Sequence, residues 1–292
     1  MTTLDGFRVR GVLPLLLCFA LVVTAGTASA ATITIVNNDG AGEGFNDPAP
    51  RAPIGGNPGT TLGQQRLNVF QYAANIWGSM LPSTVVIQVR AAFNPMTCTA
   101  TSATLGSTSS NTVHRDFAGA PYAGTWYVQS LANRLAATDL STANPDMTIT
   151  FNSTLDGGTC LGGSTWYYGY DNNEGANVDL LPVVLHEMSH GFGFATTTSG
   201  TSGNFNGGYP SIYDRYLYDE ATGLHWYQET AAQRVASAIS LTGLTWDGMW
   251  GLQRARLWLN HRPRMAINSP PGIAGIYSIG TAAFGRRSPW PA

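Results

Sequence analysis

The residues that could carry out chemistry stand in the stretch VVLHEMSHGFGFATT, residues 183 to 197. His186, Glu187 and His190 form the pattern H-E-x-x-H. Residues four apart lie on one face of a helix, so both imidazoles can bind one metal ion. In this pattern the metal is Zn²⁺, and the glutamate takes a proton from the metal-bound water as general base. The pattern therefore predicts a zinc-dependent hydrolytic site with Glu187 as its catalytic residue.

The same stretch leaves the zinc site one ligand short. A catalytic zinc ion takes three protein ligands and a water, and the motif supplies two. The extended pattern H-E-x-x-H-x-x-G-x-x-H has glycine where this chain has Gly193, but its third histidine falls on Thr196. A neutral hydroxyl is a weak zinc ligand. The third ligand is therefore expected from further along the chain, after the Gly/Ser/Asn-rich segment 197–210.

Alternating strands and helices are predicted to position the motif. Alternating or short apolar runs predict strands at 32–36, 85–89, 147–151 and 166–168. Helical spacing of apolar residues predicts helices at 61–81, near 127–135, at 179–194 for the motif itself, and at 211–219 and 230–239. The Ser/Thr-rich residues 97–112 are expected to form a loop.

The N-terminus has the pattern of a secretory signal peptide. Arg8 and Arg10 precede the apolar run Gly11–Val23, and Ala28-Ser29-Ala30 is a small-residue cleavage site. The run is too short for a membrane span, which needs roughly 20 residues. We expect cleavage near Ala30 and secretion, extracellular or periplasmic, with no membrane association afterwards.

Composition narrows the class of protein further. The 292-residue chain has a net charge of −2 and only 11% charged residues, which argues against nucleic-acid binding. After signal cleavage two cysteines remain, Cys98 and Cys160, and in a secreted protein they most simply pair. Two separate buried thiols are the alternative. Neither cysteine belongs to a C-x-x-C pair, so neither is expected to bind zinc.

The motif and its surroundings resemble the zincin metallopeptidases. HEMSHGFGF is similar to the metzincin-like branch with the HExxHxxGF motif. The leishmanolysin-type peptidases interrupt this motif and take their third histidine from far downstream. The stretches FNPMTCTATSATLGS, DLLPVVLHEMSHGFGF and YPSIYDRYLYDEATG resemble secreted bacterial zincin-like proteins that often carry a protease-associated domain. The resemblance covers roughly residues 31 to 285.

The resemblance implies two principal candidates for the third ligand. Asp214 lies 24 residues after His190, a separation of the order found in zincins that take a carboxylate from a following helix. His225, in GLHW, resembles the late histidine of the interrupted motif. We favour Asp214, although an ion pair with an arginine would explain it equally well. Asp219 and His261 are weaker candidates.

The resemblance also implies a fold and a division of the chain. The expected fold class is α+β and zincin-like, with a twisted mixed sheet over the active-site helix and a smaller helical C-terminal subdomain. The signal peptide would span 1–30, the N-terminal subdomain 31–196, the C-terminal subdomain 197–266, and a Pro/Gly-rich, truncated tail 267–292.

The expected function is that of a monomeric, secreted zinc endopeptidase that acts on peptides or proteins. One alternative is a zincin-like binding or surface module that has lost catalysis, as the missing third histidine suggests. The retained Glu187 argues against that alternative. Another is a carbohydrate-binding module, because Trp and Tyr are plentiful; the aromatic residues are scattered, however, and fit a core equally well.

Overall fold

The computed structural model of the chain describes residues 30–240 and 243–248. The predicted signal peptide and the tail from residue 267 lie outside this part. The described residues contain helices α1 Leu62–Met80, α2 Gln129–Ala136, α3 Leu180–Gly191 and α4 Ala231–Ala238. Their strands are β1 Ile33–Asn37, β2 Ile87–Asn94, β3 Gly106–Ser110, β4 Val113–His114, β5 Tyr127–Val128, β6 Met147–Asn152, β7 Trp166–Tyr167, β8 Val178–Asp179, β9 Leu217–Asp219, β10 Leu224–His225 and β11 Leu244–Trp246. Helices and strands alternate, so the fold is mixed α/β.

A four-stranded mixed sheet forms the centre of the fold, in the order β1-β2-β6-β3. Strands β1, β2 and β6 are parallel, with Ile35 opposite Val89 and Ala91 opposite Ile149. The edge strand β3 runs antiparallel to β6, with Thr108 opposite Ile149. The mixed sheet agrees with the expected α+β class.

Helices α1 and α3 pack on this sheet and against each other. Helix α1 begins at Thr61, whose side chain accepts a hydrogen bond from the N–H of Gln64, and Pro82 follows soon after its end. Between the helices and the sheet lies a cluster of phenylalanines in edge-on and tilted contact, Phe45, Phe70, Phe93 and Phe151. This buried cluster gives the motif helix a rigid support.

Seven sequence predictions of secondary structure are confirmed in this part of the chain. Strands predicted at 32–36, 147–151 and 166–168 correspond to β1, β6 and β7, and the helix predicted near 127–135 corresponds to α2. Helices predicted at 61–81, 179–194 and 230–239 correspond to α1, α3 and α4. The strand predicted at 85–89 begins at Ile87 and is longer, ending at Asn94. Among the helices of the described residues, none combines the length and the apolar character that crossing a bilayer requires.

The predicted helix at 211–219 is wrong. A single 3-10 turn, Asp214–Tyr216, is followed by strand β9, which pairs with both β10 and β11. Tyr213, Tyr216 and Leu217 have helical spacing, but Leu217 and Asp219 are buried and Tyr218 is less so, which is the alternation of a strand. Pairing with two neighbouring strands outweighs the weak local preference for helix.

The C-terminal part is consequently less helical than expected. Among its described residues, β10, β9 and β11 form a small antiparallel sheet beside the one helix α4. Arg234 of α4 is buried and donates from Nε to the carbonyl of Gly203 at 2.6 Å and from Nη1 to the carbonyl of Trp226 at 3.0 Å. These bonds tie α4 to the loop that follows α3.

The predicted pairing of the two cysteines agrees with the structure. Cys98 and Cys160 lie at disulfide distance, with their Cα atoms 5.6 Å apart and a separation of 62 positions in sequence. Cys160 is fully buried, next to the segment that leads to β7 and α3. The bond would therefore tie the loop before β3 to the approach of the motif helix.

We expect the double variant Cys98→Ser, Cys160→Ser to lose about 3–4 kcal/mol of unfolding free energy, because the disulfide closes a long loop in the unfolded chain. Urea denaturation of wild type and variant measures the difference. The matched control is wild type after reduction, which should show the same loss. Unchanged stability in both, or two free thiols in peptide maps of secreted protein, would show that the bond does not form.

Candidate functional site

Helix α3 places the motif between the sheet and the surface. Its N-cap is Asp179, whose carboxylate accepts a hydrogen bond from the N–H of Leu181 at 3.1 Å. Leu180, Val184 and Met188 recur every four residues and are fully buried. This apolar stripe faces the core, so the two histidines fall on a different face of the helix.

The two motif histidines are brought together. Their Nε2 atoms lie 3.1 Å apart, with the ring planes at 87° to each other. Two nitrogens bound to one tetrahedral zinc ion at about 2.0–2.1 Å lie roughly 3.3 Å apart. The pair therefore has the separation of two ligands on one ion, although a hydrogen bond between the rings would have similar length.

The tautomer of His190 is set by the backbone. Its Nδ1 lies 2.7 Å from the carbonyl oxygen of Phe194, and a carbonyl can only accept, so Nδ1 carries the proton. In the neutral ring the Nε2 lone pair is then free for a metal ion. Gly193, with φ of 112°, makes the turn that brings this carbonyl back to the ring.

His186 is held neutral by its surroundings. Burial, with a smaller contribution from the nearby charge of His190, lowers its pKa to about 4. Only the neutral imidazole can bind a metal ion. At neutral pH His186 therefore needs no proton loss before it can act as a ligand.

Glu187 points toward the edge strand β3. Its side chain is 7% exposed, and Thr108 Oγ1 donates to Glu187 Oε2 at 2.8 Å. Burial raises the pKa of Glu187, while the hydrogen bond from Thr108 and the charge on His190 oppose part of that rise. A carboxylate with a raised pKa is better able to take up a proton near neutral pH.

The close approach of β3 to α3 depends on a glycine. A Cβ atom added at Gly106 would lie 3.1 Å from Cγ of Glu187 and 3.3 Å from the ring of Phe151. Gly191 has a similar role at the other end of the motif, where an added Cβ would lie 2.1 Å from Sδ of Met147. Both glycines let the motif helix lie directly on the sheet.

The structure does not bring Asp214 to the histidine pair. Its carboxylate is fully buried and accepts hydrogen bonds from the hydroxyl of Thr196, from Thr198 Oγ1 at 2.9 Å and from the N–H of Ser211 at 2.7 Å. Burial raises the pKa of Asp214 in spite of these bonds. Asp214 therefore joins the loop after α3 to the turn before β9, a role that its sequence position did not reveal.

The other candidate ligands also lie elsewhere. His225 Nε2 is 2.9 Å from Asp247 Oδ2. Asp219 is buried and accepts a hydrogen bond from the N–H of Ala221 at 2.8 Å. His261 is outside the described residues. Within residues 30–240 and 243–248, no group of three or more His, Cys, Asp or Glu side chains is placed to hold one metal ion.

Thr108 is the site residue that sequence reasoning missed. Residues 97–112 were expected to form a loop, but Gly106–Ser110 is strand β3. This strand contains no apolar residue, so its sequence has no alternation of apolar and polar residues. Its contact with Glu187 could be recognised only from the three-dimensional fold.

Comparison with protein-family models, curated proteins and solved structures gave no match for this chain. The functional assignment therefore depends on the residues and geometry described above.

Proposed function

We propose that this protein is a secreted zinc endopeptidase in which His186 and His190 bind the metal and Glu187 is the general base. The observation that carries the proposal is the pair of Nε2 atoms 3.1 Å apart on one face of α3, next to a buried carboxylate. Zinc bound there would lower the pKa of a coordinated water to about 7 and polarise the substrate carbonyl.

The donor set fits two zinc ligands and leaves the third open. Both histidines suit the metal. Burial keeps His186 neutral, and His190 donates its Nδ1 proton to the carbonyl of Phe194, which leaves Nε2 for the metal. In the described part of the chain neither Asp214 nor His225 forms a metal-holding group with them, and each has hydrogen-bond partners of its own. His261 stays a candidate from the part of the sequence beyond the described residues.

The protein's own groups suit proton transfer. Glu187 can take a proton from an attacking water and pass it to the leaving nitrogen of the peptide. Thr108 Oγ1 also lies 2.9 Å from the backbone carbonyl of Glu187, so a single hydroxyl contacts both acceptors. When Glu187 is protonated, its O–H can donate to Thr108 while Thr108 donates to the carbonyl. The contact can therefore persist in both protonation states.

Strand β3 offers a place for an extended substrate. It is the edge of the four-stranded sheet, and among the described strands it pairs only with β6. An exposed strand edge can bind a peptide as an additional strand through backbone hydrogen bonds. A peptide bound along β3 would lie beside Glu187, which supports an endopeptidase rather than an enzyme for small esters or sugars.

Metal analysis combined with a protease assay tests the proposal. Purified secreted protein should contain about one zinc per chain and cleave casein, and a chelator should abolish cleavage until zinc is restored. Cleavage that persists without metal would contradict the proposal. The Glu187→Gln variant, purified through the same steps, controls for contaminating proteases.

A second candidate function is a zincin-like binding module without catalysis. The observation that favours it is the absence of a third His, Cys, Asp or Glu beside the pair in the described part of the chain. A folded protein that holds less than stoichiometric zinc and shows no casein cleavage would support this module over the peptidase.

Thr108→Val should lower kcat by about tenfold and leave KM and zinc content nearly unchanged, because valine keeps the shape but removes the hydrogen bond that orients Glu187. Steady-state kinetics on a fluorogenic peptide measures both constants. Thr108→Ser retains the hydroxyl and should restore most of the rate. Equal rates for valine and threonine would show that the contact with Glu187 has no role in turnover.

A further inference from the structure

A cleft lies between the segment before β5, which contains Tyr122, and the small sheet β10-β9-β11. Its volume is about 250 Å³, and its lining residues are Tyr122, Arg215, Tyr216, His225, Tyr227 and Asp247. Small-molecule sites range from roughly 300 to 1,000 Å³, so this cleft has room for one small group or molecule. We call it the Arg215 cleft.

The cleft contains a cation that has no ionic partner in the described part of the chain. The guanidinium of Arg215 lies between two tyrosine rings, 4.7 Å from the centroid of Tyr122 and 4.9 Å from that of Tyr227. Its Nε donates to Thr125 Oγ1 at 2.7 Å, which fixes the position of the group. No carboxylate of the described residues forms an ion pair with Arg215. Its two terminal nitrogens thus remain available to an anion.

The cleft also contains a carboxylate oxygen that has no partner within residues 30–240 and 243–248. Asp247 uses Oδ2 for His225 Nε2 at 2.9 Å, and its backbone N–H donates to the carbonyl of Tyr216 at 2.9 Å. The Asp247 side chain is 39% exposed, but its second oxygen, Oδ1, is covered and has no hydrogen-bond partner among the described residues. A small rotation of this partly exposed side chain would turn Oδ1 toward the cleft, where a ligand that donates a hydrogen bond would satisfy it.

We propose that the Arg215 cleft binds an α-amino or α-acylamino carboxylate, either a free amino acid or the C-terminal residue of a peptide. The ligand carboxylate would accept hydrogen bonds from Arg215, and the nitrogen on its α-carbon would donate to Asp247 Oδ1. The faces of the tyrosine rings would contact its side chain. Such a ligand carries both an acceptor and a donor, and the cleft offers Arg215 and Asp247, which do not form an ion pair with each other.

Calorimetric titration of the full secreted protein with three probes tests the proposal: N-acetyl-L-phenylalanine, its C-terminal amide, and free L-phenylalanine. The acid should bind about tenfold or more tightly than the amide, because only the acid offers a carboxylate to Arg215. A higher affinity for free L-phenylalanine would identify a free amino acid as the ligand. A higher affinity for N-acetyl-L-phenylalanine would identify the C-terminal residue of a peptide. Equal affinity for acid and amide, or no binding of any probe, would overturn the proposal.

Two variants locate the binding within the protein. Arg215→Gln should abolish the preference for the acid over the amide, whereas Arg51→Gln, at an exposed arginine, should leave it intact. Asp247→Ala removes the acceptor and should weaken both probes about equally, because the donor on the ligand nitrogen is common to them. Thermal melts show whether each variant folds. If Arg215→Gln does not fold, the difference in affinity between the acid and the amide on the wild-type protein decides whether the proposal holds. Since the readout is binding, the result is independent of peptide hydrolysis.

Discussion

Glu187→Gln is expected to abolish peptide hydrolysis while leaving the metal in place. The amide keeps the shape of the side chain but cannot take up a proton, and general-base catalysis contributes roughly 10²–10⁴-fold to the rate. Glu187 is directed at Thr108 of β3 and is not one of the proposed metal ligands. When both are measured on the same preparation, casein cleavage should therefore be lost and zinc content should stay at the wild-type level.

The histidine variants provide the matched comparison. His186→Ala or His190→Ala should lose both zinc and activity, because each removes one of only two nitrogens held 3.1 Å apart. Wild-type hydrolysis by Glu187→Gln would exclude Glu187 as the base. Undiminished zinc in both histidine variants would show that the metal binds elsewhere, and the peptidase proposal would then lose its principal support.

The core of this site could be predicted from sequence because its residues are close together in the chain. The spacing of His186 and His190 places them on one helical face whatever surrounds the helix, and Asp179 and the apolar stripe mark where that helix begins and what it covers. Local chemistry of this kind needs no knowledge of tertiary structure.

The contacts that complete the site are long-range and could not be predicted in the same way. Thr108 lies 79 residues before Glu187 and reaches it only because β3 pairs with β6. The segment 211–219 has helical spacing but becomes strand β9 through two pairings that no local pattern indicates. Asp214 was favoured as a ligand by its separation from His190. Sequence separation does not show which hydroxyls a buried carboxylate will meet.

Substitution of Asp214 should have the second large effect, a loss of stability. Two variants at this position distinguish a structural role from a role as metal ligand. Asp214→Ala should lose on the order of 3 kcal/mol or more of unfolding free energy, because it leaves the N–H of Ser211 and two threonine hydroxyls without their buried acceptor. Urea denaturation measures this loss. The loop after α3 and the turn before β9 should then separate before the rest of the fold unfolds. Faster amide hydrogen exchange in these two segments would show it.

Asp214→Asn is the matched control. Its amide oxygen can accept from Ser211 and Thr198, and its amide nitrogen can donate to Thr196, whose hydroxyl can rotate to accept. We therefore expect a small change in stability and full zinc content. Because burial raises the folded-state pKa of Asp214, the stability that the aspartate contributes is present below its unfolded pKa and is lost as pH rises through the folded value. The stability of the asparagine variant relative to wild type should accordingly increase as the pH rises. If Asp214→Asn instead stays folded but loses its zinc, Asp214 is the third ligand after all, and its hydrogen bonds to the two threonines and Ser211 must give way when the metal binds.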